Sequence, residues 1–273
     1  MKSFIERFEE ALSVKDSVLC IGADPAIPGQ REKNVVPQIF MDMAKGEDAE
    51  ARTLFVLDLI DKTGEFGVAV KPNDQYMKGL SLKQHRRIAD RAHEHGLIAV
   101  YDCKLGDIGD TAEANLFWTA RMGYDAVTFH ATPGNMAEAV KYAHGYKPPI
   151  GVISLVLMSN PEAPKYFREA KVNGNPVYLS IAEEIKAVGA DGFVVGATGH
   201  VTEDDIRNVR LLAGSDKVGL FPGIGAQGGD DSKILRAAGR NIMINVGRAL
   251  MYAEDPAAAA RSYRDRFNLS RSK

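Results

Sequence analysis

Residues 96–111 read GLIAVYDCKLGDIGDT. An apolar β-type run over 97–101 ends in Asp102, Lys104 and Asp107, with Gly109 and Thr111 beyond. Side chains alternate faces along a strand, so Asp102 and Lys104 are expected on one face and Cys103 on the other. Opposite charges at the C-terminal end of a buried strand are costly to a purely structural core. Taken alone, the pair can equally be read as a salt bridge that plugs the end of a sheet.

Outward from this stretch, strand and helix patterns alternate along the whole chain. In front, residues 3–14 put Phe4, Ile5, Phe8, Ala11 and Leu12 on one helical face, with Ser3 and Glu6 as a capping box. Residues 18–22 form a short continuous apolar run that closes on Asp24, the pattern of a strand buried on both faces. Residues 26–48 read as an irregular insertion with one helical turn near 36–43. A helix over 49–64 leads to a strand at 67–71 that ends in Lys71. Helices near 81–95, 110–122 and 134–144 precede strands at 97–102, 126–129 and 150–155. After a long polar connection, 157–178, a helix near 177–188 leads to a strand at 192–196. Thr202 opens a capped helix, a strand follows at 217–221, then a helix at 230–238, a strand at 242–246 and a helical tail from 256. Eight strand–helix units, an extra N-terminal helix and no separating linker predict one domain over 1–273. The expected fold is a closed (β/α)8 barrel of the TIM type, preferred over an open doubly wound sheet.

Composition excludes several classes of function. The 273 residues are 45% hydrophobic and 26% charged, with a net charge of −2, so neither nucleic acid nor an anionic membrane is the expected partner. The opening MKSFIERFEEALS carries charges inside every short apolar run, unlike a secretory signal. No window approaches the ~18 uncharged apolar residues of a membrane span. The two cysteines, Cys20 and Cys103, lie in apolar runs and read as reduced core thiols. These features predict a soluble cytoplasmic protein. No metal-ligand motif is present, and no metal is expected.

In a barrel of this type the active site lies at the C-terminal strand ends. Here those ends carry Asp24, Lys71, Asp102 with Lys104, His130 and Ser154. Strands two and three are neighbours ~4.8 Å apart, which lets Lys71 reach the Asp102/Lys104 pair. A carboxylate held between two ammoniums keeps all three charged. A structural plug needs one such pair, and the second lysine is surplus to it. The stretch 222–230, PGIGAQGGD, matches G-x-G-x-x-G through Gly223, Gly225 and Gly228. The dinucleotide reading fails on context, because the motif follows strand seven and no acidic residue ends the next strand. A glycine loop there, with Arg248 at the end of strand eight, instead suits a phosphate cradle. The bland alternative is tight turns plus one surface arginine. His130 reads as a core-edge histidine, residues 196–200 as turn chemistry, and His85, His93 and His95 as members of a solvated helix.

The D-x-K-x-x-D-I-x-x-T pattern of Asp102, Lys104, Asp107, Ile108 and Thr111 resembles the signature of the orotidine 5'-phosphate decarboxylase family. Lys71 in VAVKPN matches that family's upstream lysine, and Asp24 in CIGADP its first-strand aspartate. Ser159 in LMSNPEA resembles the serine that contacts the pyrimidine. Gln227 and Gly228 in PGIGAQGGD, with Gly247 and Arg248 in VGRAL, resemble the phosphate contacts. The likeness runs from about residue 18 to 255 and is nearest the branch with larger bacterial and archaeal members. It implies cofactor-independent loss of CO2 from orotidine 5'-phosphate to give uridine 5'-phosphate, the last step of de novo pyrimidine nucleotide synthesis. Lys104 would protonate C6, Asp102 would sit near the substrate carboxylate, and Lys71 would orient Asp102 and contact the ribose. Asp107 and Thr111 would reach a partner's site, implying a homodimer with shared active sites, and segments 157–178 and 222–230 would form a lid. Magnesium-dependent phosphosugar decarboxylases and aldolases of the same superfamily reuse D-x-K-x-x-D. They resemble one another in carrying Ala-Gly after the last Asp and a glutamate near the Lys71 position, where this chain has Ile108 and Lys71. A non-catalytic nucleotide-binding barrel is a third reading, and the intact lysine–aspartate row argues against it.

Overall fold

The structure, a computed structural model, describes residues 1–225 and 230–271. Eight parallel strands among the described residues close into a barrel in chain order. They are β1 (Leu19–Ala23), β2 (Ala69–Pro72), β3 (Ile98–Leu105), β4 (Ala126–His130), β5 (Gly151–Leu157), β6 (Gly192–Val195), β7 (Val218–Ile224) and β8 (Ile242–Val246). β8 pairs back onto β1. Every residue of β1, β2, β5 and β6 is buried, as expected of strands covered on both faces.

The N-terminal helix, Phe4–Lys15, has the predicted Ser3/Glu6 capping box. Phe4 and Phe8 are fully buried, and a Cβ on Gly151 would lie 2.4 Å from the Phe4 ring. Because Gly151 opens β5, this helix seals the N-terminal end of the barrel and leaves the C-terminal mouth open. The Thr202/Asp205 capping box is also present, at the start of helix Glu203–Ala213. No helix among the described residues is long and apolar enough to cross a membrane.

Several details depart from the sequence reading. The helix Leu82–Glu94 buries His85 with Ile88, Ala89 and Ala92, so His85 is not a solvated residue. Its Nδ1 lies 3.1 Å from the Tyr124 hydroxyl, and burial pushes its pKa down to about 4. Two four-residue helices, Asp74–Met77 and Arg248–Met251, are too short to leave a periodic signal. The connection after β5 is built structure. It holds a π-helical turn, Lys165–Glu169, and an antiparallel ribbon of Lys171–Val172 with Asn175–Pro176. Arg168 anchors it through a fork onto Asp205 at 3.0 and 2.7 Å.

The most consequential departure lies in β3. Val100 and Tyr101 pair with Ala126 and Val127, but the next pair is Leu105 with Phe129, so four residues of β3 oppose two of β4. The strand bulges between Tyr101 and Leu105, and Lys104 takes a left-handed φ of 49° inside it. Simple alternation does bring Lys104 to the same side as Asp102, but in the structure an irregular backbone delivers it there.

Candidate active site

At the barrel mouth a cavity of about 270 Å³ is lined by Asp24, Lys71, Asp102, Lys104, Thr128 and Ser159, with Leu155, Met158, Val194 and Leu220 among its apolar lining. Lys71, the last residue but one of β2, lies two register positions below Asp102, since Asn73 bridges Asp102 directly. Its Nζ donates to Asp102 Oδ2, and both residues are buried. Lys104 Nζ, from a half-exposed side chain, donates to Asp102 Oδ1 at 2.8 Å. The structure therefore assembles the predicted Lys–Asp–Lys row.

Electrostatics keep the row charged. Burial alone would raise the Asp102 pKa, but the Lys71 and Lys104 ammoniums outweigh it and hold the carboxyl well below the usual carboxylate range. Burial likewise pulls Lys71 down, and the Asp102 and Asp24 carboxylates overcome that pull and leave it raised. Cys103 faces away from the row, with its Sγ 3.8 Å from Asn115 Oδ1 and Thr128 O. Burial pushes its thiol up to about 12, so it is no nucleophile. Cys20 is fully buried, and both cysteines are free thiols.

Asp24 sits just past the end of β1. The 26–48 insertion brings Arg31 to 3.9 Å from its carboxylate, while Arg31 also lies over the Tyr76 ring at 4.4 Å. Asp24 Oδ1 is buried and makes no hydrogen bond among the described residues. Ser159 lines the cavity, and its carbonyl accepts from Thr198 Oγ1 at 2.8 Å. Any side chain at Gly196 would collide with Ser159 at 2.7 Å, so the glycine admits the serine-bearing loop. Ser154, named among the polar strand ends, is buried and is not part of the cavity lining. His130 ends β4 half-buried, with Nδ1 2.9 Å from Thr132 Oγ1.

Opposite the row, Val246 pairs with Ile224, which sets Gly223 and Gly225 beside Gly247 and Arg248. Gly223 and Gly225 adopt φ of 111° and 84°, a region that excludes ordinary side chains. Arg248 is exposed at the start of its short helix and does not line the cavity. Gln227 and Gly228 lie outside the described residues. Asp107 and Thr111 are exposed and are not brought to the row. With Lys104, they line a separate depression of about 860 Å³ on the flank of the barrel. Among the described residues no three His, Cys, Asp or Glu side chains group as a metal ion would need.

Thr128, Asn73 and Asn245 also line the cavity, and none was singled out from the sequence. For Thr128 and Asn245 the available signal was a polar residue inside a largely apolar strand, and for Asn73 a polar residue at a strand end, both too common to be diagnostic.

A family model described as orotidine 5'-phosphate decarboxylase / HUMPS matches residues 19–263, a span that contains the whole site. This chain belongs to that family. A protein of Azoarcus sp. (strain BH72) named orotidine 5'-phosphate decarboxylase is 34% identical over 274 residues, covering 95% of this chain and 94% of the relative. A Roseiflexus castenholzii protein of the same name is 32% identical over 287 residues, with 97% of each covered. The solved structure of Leishmania donovani OMP decarboxylase is similar at a TM-score of 0.80 and 27% identity, over the full length of both chains. The family model spans decarboxylases and HUMPS proteins alike, whereas these relatives carry the decarboxylase name.

Proposed function

We propose that this chain decarboxylates orotidine 5'-phosphate at C6 to give uridine 5'-phosphate and CO2, without a cofactor. The observation that carries the reading is a buried aspartate bracketed by two lysines, in a chain whose family relatives bear that activity's name. Breaking the C6–carboxylate bond leaves its electron pair on C6, where the ring offers no ordinary electron sink. Stabilisation must then come from fixed charge in a site shielded from water. Lys104 is the group assigned to that charge: its ammonium faces the developing carbanion, then gives C6 a proton, and solvent later restores it. Asp102 keeps Lys104 charged and oriented and lies near the departing carboxylate. Lys71 holds Asp102 from the other side and, with the unpaired Asp24 oxygen, contacts the ribose hydroxyls. The apolar residues of the lining take the flat pyrimidine, and Ser159 reads its polar edge.

Gln227, Gly228, Gly247 and Arg248 are assigned to the phosphate. Binding at that distant group supplies energy for closing segment 157–178 over the site, while the other expected lid segment, 222–230, lies partly outside the described residues. The chain acts as one domain over 1–273 in the cytoplasm, and as a homodimer. Asp107 and Thr111 then complete the cavity of a second copy. The support is their exposure outside the cavity beside exposed Ile108 (59%), Phe117 (43%) and Trp118 (53%), an apolar cluster suited to burial against another chain. The magnesium-dependent phosphosugar reading is not favoured, because Lys71 stands where that group's glutamate resemblance would require an acid.

The test is turnover of orotidine 5'-phosphate by the purified chain, followed by ultraviolet absorbance in the presence of a chelator. Sustained conversion to uridine 5'-phosphate supports the reading. Tight product binding without turnover, or turnover that needs added magnesium, overturns it.

A further inference from the structure

The Lys104 backbone poses a problem that the row of charges does not solve. Five non-glycine residues among those described have positive φ, and Lys104 alone of them lies within a barrel strand. A lysine has no short polar side chain to stabilise that conformation locally, so something outside the residue must hold it. The contact that does so comes from β4. The Lys104 N–H donates to Thr128 Oγ1 at 2.9 Å, and Thr128 Oγ1 donates to Asp102 Oδ1 at 2.9 Å. The direction of both bonds is forced. A backbone N–H can only donate and an ionised carboxylate can only accept, so the single hydroxyl hydrogen is committed to Asp102. Thr128 is 2% exposed, which makes its β4 position rigid.

We propose that Thr128 is a positioning residue of the active site. One hydroxyl fixes the bulge that carries Lys104 and, in the same act, the rotamer of Asp102. Asp102 Oδ1 accepts from both Lys104 Nζ and Thr128 Oγ1. When the Lys104 ammonium turns from Asp102 toward C6, Thr128 keeps that oxygen paired, so the proton donor moves without leaving a buried acceptor unsatisfied. The proposal rests on the decarboxylase reading and deepens it, by naming what sets the geometry of its acid.

The experiment compares wild type, Thr128→Val and Thr128→Ser, with Thr128→Ala in reserve should valine prevent folding. Valine keeps the shape and removes both hydrogen bonds; serine keeps the hydroxyl. Misplacement of a reacting group by about 1 Å costs on the order of a hundredfold in rate. The expected result is a fall in kcat of about tenfold to a hundredfold in the valine variant. KM and the Kd of uridine 5'-phosphate should change less than about threefold, since neither depends on the lost bonds, and serine, which keeps the hydroxyl, should restore kcat to within about threefold. Unchanged kcat in the valine variant overturns the proposal, as does equal loss in the serine variant or a parallel loss of product binding. Failure of the wild type to turn over would instead overturn the decarboxylase reading, so the two failures are distinct.

Discussion

Asp102→Asn is the perturbation that most sharply tests the electrostatics of the mouth. It leaves the Lys71 ammonium, 5% exposed, facing a neutral amide whose oxygen can still accept one hydrogen bond but which carries no charge to balance it. Removing one partner of a buried ion pair costs about 3–5 kcal/mol. Asp24, although its side chain is 29% exposed, still attracts Lys71, and that remaining attraction argues for the lower part of that range. The lost attraction to Lys104, 47% exposed, adds less than about 1 kcal/mol. The expected destabilisation at about pH 7 is therefore roughly 3–4 kcal/mol. The sign of the pH dependence is more telling. In the wild type the folded pKa of Lys71 is raised above the ordinary 10.5, so its contribution is fully present below that value and is lost only as pH climbs through the raised one. In the variant, burial is left largely unopposed and pushes the folded value below 10.5. The unfolded chain then binds more protons, and stability rises with pH as the alkaline range is approached. Denaturant unfolding followed by circular dichroism, from about pH 7 to about pH 10, measures both. A loss below about 1 kcal/mol with the same pH slope as wild type would refute the claim that Lys71 is buried on Asp102's charge.

Two further outcomes follow from other parts of the molecule. Arg248→Ala should raise KM for the nucleotide by about tenfold to a hundredfold while leaving turnover of the phosphate-free nucleoside unchanged; equal effects on the two substrates would remove Arg248 from the phosphate site. His85, pushed down to about 4 from 6.5 by burial, contributes stability that is present above 6.5 and lost as pH falls through about 4. That contribution is roughly 3 kcal/mol. Unfolding measured across that interval should therefore have a steeper pH slope in wild type than in His85→Asn, and parallel slopes would count against the buried neutral histidine.

The barrel was legible because buried parallel strands are written as continuous apolar runs, and the stretches around 18–22, 67–71 and 97–102 stand out between amphipathic helices. The row was legible for a related reason: charges at the ends of such runs, on neighbouring strands, have few places to go but toward one another. The β3 bulge was not, since register depends on the partner strand and leaves no mark in local sequence. Thr128 was hidden by the same fact, because a threonine in a strand is ordinary until its neighbour's irregular backbone gives its hydroxyl two partners. His85 could have been found. It shares the i, i+3, i+4, i+7 spacing of Ile88, Ala89 and Ala92, and that face is the buried one. Asp107 and Thr111 were legible through the family resemblance alone, and in a single chain they stay outside the cavity they are proposed to serve.

Lys104→Ala, assayed beside wild type, asks whether the Lys104 ammonium is the group that protonates C6. Wild type should convert orotidine 5'-phosphate to uridine 5'-phosphate, while the variant's turnover should be abolished and its binding of uridine 5'-phosphate should be little changed. Retained turnover in the variant would contradict the assignment of Lys104 as the group that protonates C6.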